Sequence, residues 1–375
     1  MLNQFSRALL IGIPTLSTLM LVAQQPRIVS PEVRPDDRVI FRFRAPNAQT
    51  VELQLEGRTS HLPMQKDGIG VWSVTTDPLE PDYYGYSFVA DGVTLIDPSN
   101  PLLKPNLLGT QNMVHVPRPA SLSWEINDVP HGVVHHRFYK SAVVGDQRDY
   151  YVYTPPGYDS AAKEKYPVLY LLHGYSDDAS GWTAVGRANV ILDNLIAQQK
   201  AKPMIVVMPL GYGAPEMLTY GSGAFSHNDL RQRNLTKFRE ALLTEVVPQV
   251  EKEYRASSDR NSRAIAGLSM GGSESVFVGL TSDRFGWIGA FSSGGLSDNL
   301  DEQLSEMKPE DVSHLQLFWI ACGTDDHLLD FNRHLREWLA RKGVKHIDID
   351  TPGAHTWMVW RRNLTVFAPL LFQTR

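Results

Sequence analysis

The first third of the chain alternates apolar and polar residues with a period of two. Between about Arg38 and Val116 the alternation is clearest in four short runs, RVIFRF, TVELQL, VWSVTT and YYGYSFVA. Sequences rich in Gly, Pro, Asn and Asp separate these runs, and such residues favour turns. Because alternating strands bury one face each, the pattern predicts a small antiparallel β-sandwich of the immunoglobulin-like type over residues 28–117.

The pattern changes after a stretch containing three prolines, residues 118–131 with Pro117 just before it, which we interpret as a linker. From residue 132, the runs VVHHRFYKS and RDYYVYTPPGY predict an antiparallel hairpin. Apolar runs such as PVLYLLHG, MIVVMP and LQLFWIACG then alternate with segments of helical periodicity. Strands that are apolar throughout are covered on both faces. Residues 132–375 are therefore predicted to form a doubly wound, mostly parallel α/β sheet. In the helical segment 235–254, Pro248 is expected to kink or shorten the helix.

The first 25 residues differ in kind from the rest of the chain. They carry Arg7 and no acidic residue, followed by an apolar run from Ala8 to Ala23 that Pro14 interrupts. This order predicts a signal peptide over residues 1–23. An uncleaved anchor helix is the alternative, but the run is shorter than the ~20 apolar residues that span a bilayer. We therefore expect the mature protein to be secreted or periplasmic.

Composition removes several classes of function. The net charge is −5, and no basic block indicates a nucleic-acid partner. The single cysteine, Cys322, excludes an intrachain disulfide framework and a cysteine-based zinc site. It lies in the apolar run LFWIACG, which favours a buried structural thiol over a nucleophile. The sequence shows no metal-ligand cluster and no phosphate-cradling loop, so we expect neither a metal nor a cofactor.

The segment RAIAGLSMGG, residues 263–272, reads as a buried strand, a tight turn and the start of a helix. Its centre fits the pattern G-x-S-x-G, with Gly267 and Gly271 on either side of Ser269. The two glycines let strand and helix approach closely while the serine is strained and exposed. The hydroxyl then lies at a helix N-terminus, which favours developing negative charge. This is the nucleophile elbow of an α/β-hydrolase, although a Gly/Ser turn without chemistry could share the pattern.

A serine nucleophile requires a base and a carboxylate, which follow it in this chain order in α/β-hydrolases. The run LQLFWIACG ends in Asp325 and Asp326, and the next predicted strand ends near His355. Only one of the two neighbouring aspartates can reach His355. The oxyanion donors expected for acyl transfer are the backbone N–H groups of Met270 and Tyr175.

Several ordered motifs resemble carbohydrate esterase family one. They are YLLHG, GRANVILDNLIAQQKAKPMIVVMP, AGLSMGG, WIACGTDDH and GAHTWMVWRRNL, and the resemblance extends from about Arg148 to Phe367. The family includes bacterial feruloyl esterases and acetylxylan esterases. The resemblance implies that Ser269, Asp326 and His355 form the triad, and its details are most similar to the feruloyl esterase branch.

This resemblance implies a secreted serine esterase that removes feruloyl groups from plant cell-wall arabinoxylan. Trp182, Phe225 and Trp357 are candidates to pack the acyl group or the sugar, with core packing as the alternative for each, and His227 could line the cleft. An acetylxylan esterase and a trilactone siderophore esterase remain alternatives within enzymes. A glycan-binding module with an inactive hydrolase domain is the alternative outside them.

The N-terminal part carries a second resemblance. Residues 83–92, YYGYSFVADG, followed by Asp97-Pro98, resemble the early-set sandwich domains of starch-active and glycogen-branching enzymes. Such domains often contact glycan. For the aromatic residues of this region, among them Trp72 and Tyr86, we favour packing in the sandwich core over a sugar-binding surface.

Overall fold

The computed structural model describes residues 27–118, 121–308 and 312–373. Its N-terminal part contains two antiparallel sheets, with strand orders β1-β2-β6-β5 and β4-β3-β7-β10-β9, and β8 pairs with β7. The strands are β1 Glu32–Val33, β2 Val39–Arg44, β3 Val51–Leu55, β4 Leu62–Pro63, β5 Gln65–Lys66, β6 Val71–Thr75, β7 Asp82–Ala90, β8 Val93–Leu95, β9 Leu103–Lys104 and β10 Gln111–Val116.

The two N-terminal sheets share one hydrophobic core. Phe41 from β2 and Trp72 from β6 meet Leu53 from β3 and Tyr86 from β7 in a single buried cluster. The alternating period produces this arrangement, because β2 and β3 bury every second side chain. Tyr84 and Tyr86 of β7 thus pack in this core, as favoured from the sequence, whereas Tyr83 packs in a buried cluster of the α/β part. The immunoglobulin-like topology of this part stays a prediction.

The remaining described strands form one mixed sheet in the order β11-β12-β14-β13-β15-β16-β17-β18. The strands are β11 Val133–Lys140, β12 Gln147–Thr154, β13 Val168–Leu172, β14 Ile205–Pro209, β15 Arg263–Leu268, β16 Trp287–Phe291, β17 Leu317–Gly323 and β18 Ile347–Thr351. The predicted hairpin is confirmed, because β11 pairs antiparallel with β12. Strands β13 to β18 are mutually parallel, and β13 to β17 are buried along their whole length.

Helices cover both faces of this sheet. One buried cluster joins one face to α2 and α8, and a second joins the other face to α3, α4, α5 and α7. The helices are α1 Gly181–Ala184, α2 Ala188–Ala197, α3 Asn228–Ala241, α4 Val247–Glu253, α5 Met270–Leu280, α6 Leu300–Gln303, α7 Leu329–Arg341 and α8 Trp357–Phe367. The doubly wound arrangement brings the carboxyl ends of β13, β15, β17 and β18 to the same edge.

The helix around Pro248 is longer than the sequence suggested. It starts at Asn228 instead of Leu235, and a π-helical segment, Leu242–Val246, joins α3 to α4. Pro248 occupies the first turn of α4, directly after this segment. A proline has no N–H to donate, and π-helical segments, which are rare, occur mostly as single turns inside α-helices. The chain therefore continues as one helical run into α4.

A buried ion pair connects the N-terminal sheets to the α/β part. Arg361 of α8 donates from Nη2 to Asp82 Oδ1 at 2.7 Å and to the Tyr83 carbonyl at 2.8 Å. Its Nη1 donates to the Val185 carbonyl at 3.0 Å, and neither charged side chain is exposed to solvent. Because α8 begins two residues after His355, this pair attaches the N-terminal sheets close to the predicted site.

Two predictions concern residues outside these elements. The predicted signal peptide, residues 1–23, lies outside the described residues. The described part of the predicted linker packs against α2, where the Asn194 amide donates to the carbonyls of Ser123 and Glu125. Within the described ranges, no helix combines the length and apolar character needed to cross a membrane.

Candidate active site

Ser269 lies in the sharp turn between β15 and α5. Its φ of 52° and ψ of −117° lie in a strained region for a residue with a side chain. A Cβ on Gly267 would lie 2.5 Å from the Gly271 backbone, and a Cβ on Gly271 would lie 2.4 Å from the His173 carbonyl. Only glycine fits at both positions, which explains the G-x-S-x-G pattern physically. The turn leaves the serine hydroxyl at the edge of the sheet.

The structure brings Ser269, His355 and Asp326 together from three strand ends. The distance from His355 Nε2 to Ser269 Oγ is 3.0 Å. On the other side of the ring, His355 Nδ1 lies 2.8 Å from Asp326 Oδ2 and 3.0 Å from Oδ1. A carboxylate on Nδ1 fixes a proton there and leaves Nε2 able to accept the serine proton. The arrangement can therefore generate a serine nucleophile.

The Asp326 carboxylate is fully buried and remains ionised. Burial by itself raises the pKa of Asp326, but the hydrogen bond and attraction from His355 and the bond from the Leu328 N–H outweigh it, so its pKa is lowered. The neighbouring Asp325 is exposed, and its backbone N–H donates to the Gly353 carbonyl. Of the two aspartates in this turn, only Asp326 contacts His355.

Residues 174–177, Gly174-Tyr175-Ser176-Asp177, are called here the oxyanion loop. A Cβ on Gly174 would lie 3.3 Å from Ser269 Cβ, so the loop passes directly beside the serine. Among the described residues, no backbone carbonyl accepts a hydrogen bond from the Tyr175 N–H. This N–H and that of Met270, the first residue of α5, stay the predicted oxyanion donors.

His173 supports the start of the oxyanion loop. Its Nε2 accepts a hydrogen bond from the Gly211 N–H at 2.8 Å, so the ring proton is on Nδ1 and is donated to the Gly174 carbonyl at 2.8 Å. Burial lowers the pKa of His173 to about 4. The neutral imidazole therefore has a structural role, because it holds the start of the oxyanion loop against Gly211.

Two clefts meet at Ser269 and His355. One, of about 580 Å³, is mainly apolar. Its other lining residues are Tyr175, Phe225, Arg231, Gly294, Gly295, Leu296, Asp298, His327, Leu328 and Phe331. The other cleft, of about 430 Å³, is more polar. Its lining from the N-terminal part consists of Glu56, Lys104, Asn106, Leu108, Gly109 and Gln111. Ser269 thus lies between a mainly apolar cleft and a cleft of more polar lining, called here the apolar cleft and the polar cleft.

A charged pair from the N-terminal sheets lines the polar cleft. Lys104 Nζ lies 3.1 Å from Glu56 Oε2, and both side chains are nearly buried. Glu56 also accepts the N–H of Gly85 at 2.7 Å and that of Trp357 at 3.3 Å. Burial raises the pKa of Glu56, but attraction to Lys104 and Arg361 outweighs burial and lowers it. Sequence reasoning missed this pair, because both residues are far from Ser269 along the chain and belong to no motif.

The four predicted substrate-binding residues have different positions. Phe225 lines the apolar cleft and Trp357 lines the polar one, although Trp357 is almost completely buried. The prediction that Trp182 contacts the substrate is wrong, because its side chain is 0% exposed and its indole N–H donates to the Leu172 carbonyl. His227 is exposed beside Tyr220 and lines neither cleft that contains Ser269.

Two further ionisable side chains are buried nearby. Burial raises the pKa of Glu274, on α5, well above its ordinary value, so this carboxyl is neutral. Burial also raises the pKa of Cys322 to about 12, which makes the thiol unreactive.

Asp326, His327 and His355 have ligand atoms within 4.8 Å of one another and could hold a metal ion. A metal there would compete with the hydrogen bonds of His355.

Comparison with known proteins gives matches of two kinds. The Esterase family model matches residues 141–370. An endo-1,4-beta-xylanase/feruloyl esterase of Xylanibacter ruminicola is 32% identical over 362 residues, which is 93% of this chain and 47% of that protein. The chain thus spans about half the length of this relative. An acetyl esterase of Caldicellulosiruptor saccharolyticus is 23% identical over 234 residues, covering 53% of this chain and 80% of that protein.

Solved structures extend the comparison to both parts of the chain. A CE1 ferulic acid esterase from Anaeromyces mucronatus is 26% identical with a TM-score of 0.56, covering 66% of this chain and 93% of that one. The enterobactin esterase of Shigella flexneri is 18% identical with a TM-score of 0.68, covering 88% of this chain and 92% of that one. At that identity the second likeness concerns the fold.

Proposed function

The chain belongs to the Esterase family and is similar to the CE1 esterases within it, and from this premise we propose that it is an exported serine esterase. Its substrate is a hydroxycinnamoyl ester, chiefly feruloyl, on plant cell-wall arabinoxylan. The observation that carries the proposal is the placement of Ser269 and His355 between an apolar and a polar cleft. An aromatic acid esterified to a sugar has the same division between an apolar and a polar half.

The reaction follows from the distances at Ser269. The serine Oγ attacks the ester carbonyl carbon while His355 Nε2, 3.0 Å away, accepts its proton. The Tyr175 and Met270 N–H groups stabilise the oxyanion, with each donor contributing about 2.7–4 kcal/mol in the transition state. His355 then protonates the departing sugar oxygen. Water, deprotonated by His355, releases the acid from the acyl-enzyme and restores the serine.

The apolar cleft favours an aromatic acyl group over an acetyl group. Phe225 contacts Tyr175 with ring centroids 4.9 Å apart, and Leu296 and Phe331 complete an apolar chamber far larger than an acetyl group needs. Burial of a phenyl ring against such side chains is favourable. The polar cleft, which Lys104 and Gln111 line, offers the Lys104 ammonium and the Gln111 amide as hydrogen-bond donors to sugar hydroxyls.

The test measures hydrolysis of a panel of ester substrates by the same preparation of the wild-type protein, followed by selected variants. We expect hydrolysis of methyl ferulate and feruloylated arabino-oligosaccharides, little acetate from acetylated xylan, and no turnover by Ser269→Ala. Phe225→Ala should lower kcat/KM for methyl ferulate more than for p-nitrophenyl acetate. Phe138→Ala, at an exposed position on the edge strand β11, is the matched control and should change neither.

Each alternative has its own result in this panel. Preferred release of acetate from xylan would identify an acetylxylan esterase, and hydrolysis of an enterobactin-type trilactone would identify a siderophore esterase. Binding of xylan without hydrolysis of any ester would indicate a glycan-binding protein with an inactive hydrolase domain. The hydrogen bond between Ser269 and His355 supports activity against that last reading.

Export is proposed from the apolar segment that follows Arg7. The measurement is the N-terminal sequence of the mature protein, recovered from the periplasm or the medium. A mature protein that begins near residue 24 supports cleavage, whereas an intact Met1 in the cytoplasmic fraction would refute it.

A further inference from the structure

The oxyanion loop contains a strained residue directly after the predicted donor. Ser176 has a φ of 71°, which lies in the left-handed region that side chains disfavour. The Tyr175 N–H belongs to the residue immediately before it in the chain. A conformation of this kind persists only where surrounding contacts hold it. The position of the Tyr175 N–H therefore depends on whatever holds Ser176.

The contacts of the Ser176 carbonyl and hydroxyl come from the N-terminal part of the chain. The Leu107 N–H donates to the Ser176 carbonyl at 2.7 Å. Asn106 Nδ2 donates to Ser176 Oγ at 2.8 Å and to Asp177 Oδ1 at 3.2 Å. These bonds join residues that are distant in the sequence, across the boundary between the two parts.

The Asn106 side chain is itself fixed in orientation. Its Oδ1 accepts the N–H groups of Leu108 at 3.0 Å and Gly109 at 3.2 Å. This leaves Nδ2 as the group that faces the oxyanion loop, where its two hydrogens match the two oxygen acceptors. The Asn106 side chain thus joins its own turn to residues 176–177 through four hydrogen bonds, which are called here the Asn106 bracket.

The other supports of the loop act on other atoms, and one of them joins the Ser176 backbone to the Tyr212 hydroxyl. His173 Nδ1 donates to the Gly174 carbonyl, and the Tyr175 hydroxyl contacts the carbonyls of Met217 and Gly221 at 2.9 and 2.6 Å. The Tyr212 hydroxyl donates to the Asp177 carbonyl at 3.1 Å. None of these contacts involves the Ser176 carbonyl or hydroxyl, which are bound from segment 106–107.

We propose that Asn106 is a positioning residue for the oxyanion hole, so that the N-terminal sheets are part of the catalytic apparatus as well as a wall of the cleft. The inference rests on the proposed serine esterase chemistry, and it is independent of the acyl group. Oxyanion donors act at about 2.7–3.1 Å from the developing charge, and small displacements lower the rate strongly. Loss of the bracket should therefore reduce transition-state stabilisation while substrate binding persists.

The test compares the hydrolysis of p-nitrophenyl acetate by Asn106→Ala and by Asn127→Ala. This substrate has no sugar and does not depend on contacts in the polar cleft. Asn127 Nδ2 also bridges to the α/β part, at 2.9 Å from Asn194 Oδ1, and has no contact with the oxyanion loop. We expect Asn106→Ala to lower kcat about 10- to 100-fold with little change in KM. Asn127→Ala should retain the wild-type kcat.

Affinity for a boronic acid gives a readout that does not depend on turnover. The boronate forms a tetrahedral adduct with Ser269 and places an oxygen in the oxyanion hole, so its Kd should rise with Asn106→Ala in parallel with the fall in kcat. Thermal unfolding of both variants is measured alongside. A lower Tm with unchanged boronate affinity would show a merely structural role and overturn the proposal.

Ser176→Gly provides the rescue. Glycine adopts a φ of 71° without strain, so the conformation of the oxyanion loop should depend less on the hydrogen bonds from Asn106 once this substitution is made. The double variant Ser176→Gly/Asn106→Ala should recover most of the kcat that Asn106→Ala loses. Wild-type kcat in Asn106→Ala, or no recovery in the double variant, would refute the mechanism. If the wild type hydrolyses p-nitrophenyl acetate but no feruloyl ester, the proposed substrate fails and this inference stands.

Discussion

Replacement of Asp326 by asparagine tests the proton relay most directly, because the chain contains its own control. Asp326 accepts from His355 Nδ1 and from the Leu328 N–H, with no exposed side-chain surface. The substituted amide would offer one oxygen acceptor where the carboxylate has two. If that oxygen keeps the Leu328 bond, the amide NH₂ faces Nδ1 and favours the tautomer whose proton is on Nε2. That tautomer cannot accept the serine proton.

The expected loss follows from this change of tautomer. In the Ser-His-Asp triad of another fold, the equivalent substitution lowers kcat about 10⁴-fold. A factor of this size corresponds to about 5.4 kcal/mol of transition-state stabilisation. The geometry here is similarly direct, with both Asp326 oxygens within 3.0 Å of Nδ1. We therefore expect Asp326→Asn to lower kcat for p-nitrophenyl acetate about 10⁴-fold and to change KM little.

Asp325→Asn is the matched control, since the two residues are adjacent and carry the same charge. Asp325 is exposed and has no contact with His355, so this variant should stay close to the wild-type kcat. Circular dichroism and Tm show whether each variant is folded. A loss below tenfold for Asp326→Asn, or an equal loss for Asp325→Asn, would refute the assignment of the carboxylate.

Three further predictions concern stability. Arg361→Met should cost about 3–5 kcal/mol in urea titration, because the buried Asp82 carboxylate loses its two charged hydrogen bonds and keeps only Arg362, 3.7 Å away, as a cation. Asp82→Leu/Arg361→Met should lose less than the sum of the single variants. Glu274→Gln should change stability by less than about 1 kcal/mol, because burial keeps the carboxyl neutral, whereas Glu274→Ala should lose about 2–4 kcal/mol. Burial lowers the pKa of His173 to about 4. Below about pH 6.5, therefore, the unfolded chain binds a proton at this residue that the folded chain does not bind. The free energy of unfolding should fall by about 3 kcal/mol as the pH falls from 6.5 to 4. Urea midpoints between about pH 4 and 7 should show this loss, and His173→Gln, which does not titrate, should remove that part of it.

The sheet, Ser269 and His355 could be predicted because each depends on local pattern, whereas the choice of Asp326 over Asp325 came from the resemblance to known esterases. Continuous apolar runs mark strands that are covered on both faces, and the sharp turn at Ser269 requires glycine at fixed neighbouring positions. The carboxyl ends of parallel strands meet at one edge, which brings Asp326 and His355 to the serine without any knowledge of the loops between them. Trp182 was misassigned for a related reason. An aromatic residue near the oxyanion loop suits a core and a cleft equally, and only the packing around its indole N–H decides.

The contribution of the N-terminal sheets could not be predicted, because it depends on how two separately patterned parts dock. Asn106 lies in a turn after β9 whose local sequence indicates only a loop, and Lys104 has the appearance of an ordinary surface charge. The buried Arg361–Asp82 pair joins the N-terminal sheets to α8, and we infer that this docking helps to place segment 104–109 against the oxyanion loop, where Asn106 binds Ser176. If that docking sets the geometry of the site, Arg361→Met should lower kcat beyond what its loss of stability explains, at temperatures where the variant is fully folded. A folded Arg361→Met variant with wild-type kcat would show that the ion pair does not affect catalysis, and would leave the bonds of Asn106 and the Glu56–Trp357 bond as the contacts between the two parts of the site.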